Sequence, residues 1–177
     1  AIVSAFIGEN PLLASQEQVL DALDDNISTL AVMAPGRGKS LTFQVEAALR
    51  SLAFGQASIL VYPLRALISD QAFHLSRSLG RFGVPVDVLT GASKPEERAR
   101  VFEGLADGTT DIVLTTPEFL SFHAQRFAQS GRIGLVVVDE AHHIGLAHAG
   151  NRMSYAALGS HIATLKAQCV LALTATA

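Results

Sequence analysis

A glycine-rich segment in the first quarter of the chain combines residue types that can hold a triphosphate. It contains Gly36, Gly38, Lys39 and Ser40, and it stands between an apolar run and a helical pattern. Glycines allow backbone N–H groups to point at phosphate oxygens, and the following helix N-terminus adds positive potential. The Lys39 ammonium can reach the β- and γ-phosphates, and the Ser40 hydroxyl can coordinate Mg²⁺. The simplest pattern asks for glycine where Met33 stands, but strand, loop and helix follow in the required order, which predicts a phosphate-binding loop.

Two further residues of this loop, Pro35 and Arg37, stand on either side of Gly36. Pro35 removes one N–H donor and stiffens the loop. The Arg37 guanidinium either contacts phosphate or points into water, and the sequence leaves both possibilities open. We include Arg37 among the candidate nucleotide-binding residues.

Two adjacent carboxylates, Asp139 and Glu140, follow a later apolar run. Hydrolysis of a phosphoanhydride requires neutralised charge and a positioned water. Asp139 can hold the magnesium shell, while Glu140 can polarise the water as general base. An Asp-Glu pair after a strand is common, so this interpretation depends on the phosphate-binding loop in the same sheet. The nearby His142, His143 and His148 lack a zinc-binding spacing such as His-Glu-x-x-His.

These residues must be positioned by short apolar runs that alternate with longer amphipathic stretches, the pattern of a parallel sheet with crossover helices. The predicted strands are 29–33, 58–62, 86–89, 111–115, 135–138 and 170–173. The predicted helices are 16–23, 39–54, 65–79, 95–105, 117–128 and 155–166. Glycine clusters at 80–83, 91–93 and 131–134 are interpreted as connections. We expect an α/β fold, a three-layer α/β/α sandwich with a mainly parallel sheet and with ligands at the carboxyl ends of its strands.

The composition fits one well-buried domain, because 49% of the 177 residues are hydrophobic and 16% are charged. A net charge of −3 excludes a uniformly basic surface, so any nucleic-acid contact must use local patches. No segment approaches the roughly 20 apolar residues of a spanning helix, and we expect no membrane partner. Cys169 is predicted to be a small core residue. As the single cysteine it cannot form an internal disulfide, which fits a reducing cytoplasm. Because the chain begins at Ala1 and ends at Ala177, we expect an excerpt of a longer protein.

Several further segments follow predicted strands. They are Tyr-Pro-Leu-Arg-Ala-Leu-Ile-Ser-Asp-Gln at 62–71, Thr-Gly at 90–91, Thr-Pro-Glu at 116–118, Asp-Glu-Ala-His at 139–142 and Thr-Ala-Thr at 174–176. Together with the phosphate-binding loop, they resemble the first RecA-like domain of a superfamily 2 helicase of the DEAH type. The chain is most similar to the RecQ family, and the resemblance covers nearly its whole length.

The resemblance implies a RecA-like P-loop NTPase domain that uses ATP and Mg²⁺. A non-glycine residue at the position of Met33 is normal for this superfamily. Gln16 corresponds to the glutamine that reads the adenine edge in RecQ-like proteins. His142, Thr174 and Thr176 correspond to residues that couple the ATP state to movement of the nucleic-acid strand.

The resemblance also implies a nucleic-acid face. Its contacts would go mainly to phosphates, which positions a strand without reading its bases. Arg65 could instead be a solvated residue at a helix start, and Thr90 and Thr116 could be turn residues. The candidate contact residues are Pro63, Leu64, Arg65, Thr90, Gly91 and Thr116.

Two departures from the family pattern indicate a divergent RecQ-like branch. RecQ-like proteins usually carry a loop with Trp and Phe after the acidic motif, whereas residues 145–154 contain neither. The segment at 62–71 also resembles families outside RecQ. The RecQ resemblance implies a DNA helicase, of three-prime to five-prime polarity in the intact protein, and the alternative is an RNA helicase or another superfamily 2 translocase.

By the same resemblance, a complete motor has a second RecA-like domain that closes over ATP and supplies an arginine finger. We expect this chain alone to bind ATP weakly, to hydrolyse it poorly and to unwind nothing, and we expect the intact protein in a bacterial cytoplasm or nucleoid. Two rival functions are a small-molecule kinase and a non-catalytic ATP-sensing, nucleic-acid-binding module. The joint presence of Lys39, Ser40, Asp139 and Glu140 argues against the second, because binding alone needs no general base.

Overall fold

Six strands of the chain form one sheet in which every neighbouring pair is parallel. The computed structural model describes residues 2–34, 36–143 and 157–175. The strands are β1 Thr29–Val32, β2 Ala57–Val61, β3 Val86–Leu89, β4 Ile112–Thr115, β5 Ile133–Val138 and β6 Cys169–Thr174. Their order across the sheet is β1-β6-β5-β2-β4-β3. All six predicted strands are confirmed, with ends that differ by at most two residues.

Helices connect these strands. They are α1 Ile2–Ile7, α2 Ala14–Asp24, α3 Lys39–Phe54, α4 Arg65–Gly80, α5 Pro95–Asp107, α6 Pro117–Ala128 and α7 Leu158–Leu165, with a 3₁₀ turn at Ala141–His143. Helices α3 and α6 have the predicted bounds. The predicted start of the last helix at 155 lies outside the described residues. Helix α1 was not predicted, because its six residues carry no acidic first turn and no basic last turn to mark the ends.

Two hydrophobic clusters lie on opposite faces of the sheet, which confirms the three-layer α/β/α arrangement. Leu60 of β2 packs in the cluster that contains residues of α2, α3 and α4. Its neighbours Ile59 and Val61 pack in the cluster with residues of α5, α6 and α7. This alternation buries β2 on both faces, and it explains why the strand reads as a continuous apolar run. No described helix has the length and apolar character needed to cross a membrane.

Gly134 was predicted to belong to a connection, and the structure places it inside β5 instead. Ala57 lies opposite Ile133, whereas the next residue, Ser58, lies opposite Leu135, so Gly134 is the extra residue of a β-bulge. A Cβ atom at Gly134 would collide with the side chain of Gln56. Gly134 therefore lies within a strand, close to the Gln56 side chain, and not in a turn.

A buried ion pair anchors α3, the helix that begins at Lys39. Arg50 and Glu46 are both under 5% exposed, and their Nε and Oε1 atoms lie 2.6 Å apart. The same guanidinium donates to the side chain of Gln168 at 2.6 Å and to the carbonyl of Leu23 at 3.0 Å. These contacts join α3 to the end of α2 and to the residue before β6. The position of the phosphate-binding loop therefore depends on a buried polar cluster at the far end of α3.

Candidate functional site

The phosphate-binding loop has a backbone that glycine adopts readily. Gly36 and Gly38 have φ values of +77° and +71°, in the left-handed region that other residues rarely adopt. Lys39 is the first residue of α3, and its carbonyl accepts a hydrogen bond of 2.7 Å from the Thr42 hydroxyl. The loop therefore ends at a helix N-terminus, the arrangement that favours phosphate binding. Pro35 lies outside the described residues.

Gln16 lies against this loop and is only 5% exposed. Its amide nitrogen donates to the carbonyls of Arg37 and Gly38 at 3.2 and 3.3 Å, and its amide oxygen accepts from the Leu13 N–H at 2.9 Å. A Cβ atom at Gly38 would collide with this amide nitrogen. Gln16 therefore ties the loop to the start of α2.

The structure brings Lys39 together with the two predicted carboxylates. The Lys39 ammonium lies 3.9 Å from Oδ1 of Asp139 and 3.6 Å from Oε1 of Glu140. Lys39 follows β1 and the carboxylates follow β5, so the site spans the carboxyl ends of strands on either side of β6. All three side chains are between 18% and 30% exposed, which leaves the cluster accessible to a ligand.

The environment of Asp139 makes it a good cation ligand. Burial raises the pKa of Asp139 above its ordinary value, whereas the hydrogen bond from the Glu140 N–H and the nearby Lys39 charge lower it. A desolvated carboxylate gains strongly from a neighbouring cation. Oxygen ligands are those that Mg²⁺ prefers, and a bound Mg²⁺ usually keeps several waters. Asp139 and Ser40, an exposed residue on the first turn of α3, are therefore the residues that could hold Mg²⁺.

Tyr62 is a buried neighbour of Asp139 that sequence reasoning did not assign to the nucleotide site. The Asp139 N–H donates to the Val61 carbonyl at 3.0 Å, which places Tyr62 beside Asp139 at the carboxyl ends of β2 and β5. Burial, followed by the charge of Asp139, raises the pKa of Tyr62 far above its usual range. Among the described residues its hydroxyl has no hydrogen-bond partner. The Tyr62 side chain is therefore a neutral wall of the acidic site.

His142 connects the acidic pair to β6. Its Nδ1 atom lies 3.2 Å from Oε2 of Glu140 and 3.1 Å from Oγ1 of Thr174. The Thr174 carbonyl in turn accepts a 2.9 Å hydrogen bond from the Met33 N–H, just before the phosphate-binding loop. The candidate coupling residues His142 and Thr174 thus form a continuous path between the carboxylates and the loop. Thr176 lies outside the described residues.

A cavity of about 540 Å³ lies at the carboxyl ends of β2, β3 and β4. Among the residues predicted to contact nucleic acid, Pro63, Leu64, Arg65, Gly91 and Thr116 line it. The Thr116 hydroxyl also accepts a 3.3 Å hydrogen bond from the Phe119 N–H, which caps α6.

Thr90, the sixth candidate contact, does not line this cavity. It is 7% exposed, its hydroxyl accepts from the Ala92 N–H at 3.3 Å, and its own N–H donates to the Ser93 hydroxyl at 3.1 Å. In this structure Thr90 therefore has the geometry of a turn residue, the alternative that the sequence left open.

Five lining residues of the cavity were not among the candidate contacts: Arg98, Glu118, Phe119, Phe122 and His123. Phe119 and Phe122 stand three positions apart and His123 follows, a spacing that places side chains on neighbouring positions of one helix. Arg98 comes from α5. The signal available in the sequence was the cluster of aromatic rings immediately after the Thr-Pro-Glu segment.

Residues 14–177 match the DEAD/DEAH box helicase family, which is nearly the whole chain. The chain belongs to this family. The predicted resemblance to a superfamily 2 helicase of the DEAH type is thereby confirmed.

Relatives of this helicase domain include RecQ-type proteins. It is 32% identical over 184 residues to ATP-dependent DNA helicase Q-like 5 of Arabidopsis thaliana, covering 99% of this chain and 19% of that protein. It is 28% identical over 178 residues to ATP-dependent DNA helicase RecQ of Haemophilus influenzae, covering 100% of this chain and 28% of that protein. The chain therefore spans less than a third of the length of these relatives.

The fold of the helicase domain is also found in solved structures. A structure of the DUF1998 helicase MrfA bound to DNA and AMPPNP matches with a TM-score of 0.79 and 17% identity, over 99% of this chain and 26% of that one. At this identity the match supports the fold alone, and it confirms the predicted RecA-like helicase architecture.

Proposed function

We propose that this chain is the ATP-binding and ATP-hydrolysing domain of an ATP-dependent nucleic-acid helicase, most similar to RecQ-type DNA helicases. The observation that carries the proposal is the cluster of Lys39, Asp139 and Glu140, with the ammonium 3.6 to 3.9 Å from the carboxylates. A lysine at a phosphate-binding loop and two carboxylates facing it are the parts that phosphoanhydride hydrolysis requires. The two relatives described above are both ATP-dependent DNA helicases by name, which supports DNA over RNA.

In the proposed mechanism, the triphosphate binds to backbone N–H groups of the loop at Gly36 to Ser40. The Lys39 ammonium exchanges its carboxylate partners for phosphate oxygens, which leaves Glu140 available to a water molecule. That water attacks the γ-phosphorus, its proton moves to the Glu140 carboxylate, and the bond between the γ-phosphorus and the ADP oxygen breaks. Mg²⁺, when bound, neutralises phosphate charge, and Asp139 and Ser40 would hold it.

The path from Glu140 through His142 to Thr174 supports a coupling role. Nδ1 of His142 contacts both the Glu140 carboxylate and the Thr174 hydroxyl. A movement of the Glu140 carboxylate would therefore change the contacts of the His142 ring. Thr174 is hydrogen-bonded to the residue before the loop. Through these contacts, the state of the nucleotide would be transmitted to β6 and to the chain that follows it.

The intact protein would contain a second RecA-like domain that closes over ATP and supplies an arginine finger. The nucleic-acid partner would lie across the cavity lined by Pro63, Leu64, Arg65 and Thr116, held mainly through its phosphates. We place the protein in a compartment that holds DNA and ATP, with a bacterial cytoplasm or nucleoid as the first choice.

Equilibrium titration with a fluorescent ATP analogue in the presence of Mg²⁺ tests the nucleotide site. Lys39→Ala should weaken binding by about 10- to 100-fold, because it removes a charged hydrogen-bond donor to phosphate. Glu140→Gln should bind as wild type, because the general base is not needed for binding. The control Lys94→Ala removes the same charge at the exposed start of α5. Equal affinity of the Lys39→Ala and Lys94→Ala variants would contradict the proposed site.

A further inference from the structure

Phe122 is an exposed aromatic ring on the rim of the cavity at the carboxyl ends of β2, β3 and β4. Its 86% exposure is the highest among the large apolar residues that the structure describes as exposed. Helix α6 packs onto the sheet through residues such as Phe119, Leu120 and Phe127, and Phe122 stands off that face. The Phe122 ring therefore contributes little to the core, and a large apolar group held at a cavity rim is a feature of binding surfaces.

The wall of this cavity next to Phe122 contains aromatic rings and a guanidinium group held by hydrogen bonds. The ring of His123 lies 4.3 Å from the Phe119 ring, centroid to centroid. The Arg98 guanidinium carbon lies 5.4 Å from the Phe119 ring centroid. The Arg98 guanidinium is fixed by hydrogen bonds of 2.9 Å to the Ser93 carbonyl and 3.1 Å to the Gly91 carbonyl. The cavity therefore combines π-faces with a positioned cationic group.

The electrostatics of the cavity favour an anionic, flat ligand. Arg65 and Arg98 both line it, against the single carboxylate of Glu118. Burial and the charges of Arg98 and Arg126 lower the pKa of His123, which indicates a positive local potential. A volume of about 540 Å³ falls in the range of pockets that hold small organic groups. Phosphates beside the guanidinium groups and a base on the exposed ring would satisfy both features.

We infer that Phe122 is a stacking platform for an unpaired base of a single nucleic-acid strand, whose adjoining phosphates lie toward Arg65 and Arg98. The inference rests on the proposed function. It adds a contact with a base to a cavity that is otherwise proposed to contact only phosphates. Stacking on an aromatic ring tolerates every base, because each base has a π-face. Phe122 therefore strengthens binding to single strands without selecting a sequence, and it disfavours duplexes whose bases are stacked on one another.

The test uses the absence of tryptophan from the 177-residue sequence. Phe122→Trp introduces a unique fluorophore at the proposed platform. Titration at low salt with a single-stranded thymidine oligonucleotide of about 12 nucleotides should quench its emission saturably. An abasic strand of the same length, with the same phosphates and no bases, should leave the emission nearly unchanged. Phe73→Trp is the matched control, since Phe73 is 59% exposed on α4 and does not line the cavity.

Binding measurements by anisotropy complete the test. Phe122→Ala should weaken oligonucleotide binding by about 5- to 100-fold, whereas Phe122→Tyr should retain wild-type affinity. Phe73→Ala should also bind as wild type.

The outcomes separate the inference from the proposed function. If the wild-type chain binds no oligonucleotide, the proposed nucleic-acid function fails and the inference fails with it. If wild type binds but Phe122→Ala binds equally well, the stacking platform alone is overturned. Equal quenching by the abasic strand would also overturn it, because the ring would then sense phosphates. Self-association of the chain that Phe122→Ala abolishes would assign the ring to an interface between copies and would overturn the inference.

Discussion

The ammonium of Lys39 forms ion pairs with the carboxylates of Asp139 and Glu140. Ion pairs that remain partly exposed to solvent are weak and are readily exchanged. An arriving triphosphate, which carries more negative charge than either carboxylate, can therefore displace them from Lys39. In the proposed mechanism, the Glu140 carboxylate that the triphosphate displaces from Lys39 becomes available as the general base.

The pH dependence of stability should contain a contribution from His123. Burial and the charges of Arg98 and Arg126 lower the pKa of His123 in the folded state. As the pH falls through about 6.5, the ordinary histidine pKa, the unfolded chain takes up a proton before the folded chain does. The free energy of unfolding should therefore fall more steeply in wild type than in His123→Gln.

Urea denaturation of both proteins between about pH 7.5 and pH 5.5 measures this difference. The free energy of unfolding of wild type minus that of His123→Gln should be smaller at the lower pH than at the upper pH, whatever its value at the upper pH. Parallel curves across the range would contradict the assigned environment of His123.

At the residue scale, the sequence predicted which side chains come together at the proposed nucleotide site. Lys39 and the acidic pair each stand in a short segment with a recognisable pattern. The structure places the Lys39 ammonium within 3.9 Å of both carboxylates. The hydrogen bonds of Gln16 to the loop carbonyls could not be predicted, because they depend on how α2 packs. The exposure of Phe122 was equally hidden, since an apolar residue type does not reveal which side of a helix it occupies.

The strand order explains why the site needs β6 as well as β1 and β5. The phosphate-binding loop follows β1 and the acidic pair follows β5, and β6 lies between these two strands. Thr174, the last residue of β6, therefore contacts both sides, through the Met33 N–H and the His142 ring. Strand β6 therefore contacts the residue before the loop directly, and it contacts the carboxylates through the His142 ring.

The anchor of α3 should be essential for stability. Replacing Arg50 by methionine leaves the Glu46 carboxylate buried without its ion-pair partner, and breaking such a pair costs about 3–5 kcal/mol. The double variant Arg50→Met with Glu46→Leu should recover a substantial part of that loss, because no buried charge then lacks a partner. Urea denaturation of the wild type and of the three variants in this cycle measures the coupling. A single Arg50→Met variant as stable as wild type would contradict the role assigned to the pair.

The elements themselves were largely predictable. Strands buried on both faces read as apolar runs, and Pro117 marked the start of α6. The bulge at Gly134 was not predictable, because the register shift and the nearby Gln56 side chain depend on how β5 packs against a neighbouring segment. The order of the strands could not be predicted either, since it depends on crossover packing and not on any local pattern.

At the scale of the whole molecule, the proposed nucleotide site and the cavity proposed to hold nucleic acid lie along the same edge of one sheet. The carboxyl ends of β1, β6 and β5 carry the first, and those of β2, β4 and β3 carry the second. Pro63 follows Tyr62, the buried neighbour of Asp139, so the two regions adjoin at the end of β2. A nucleic-acid strand bound in the cavity would therefore lie close to the acidic pair. We therefore expect the binding of nucleic acid to influence ATP hydrolysis.

The most direct test is steady-state phosphate release by the intact protein, with and without single-stranded DNA. Wild type should hydrolyse ATP faster when DNA is present. Glu140→Gln should lose turnover by about 100- to 10,000-fold, the contribution of a general base, while it still binds ATP. Turnover by Glu140→Gln at the wild-type rate, or a wild-type rate that does not respond to DNA, would contradict the account.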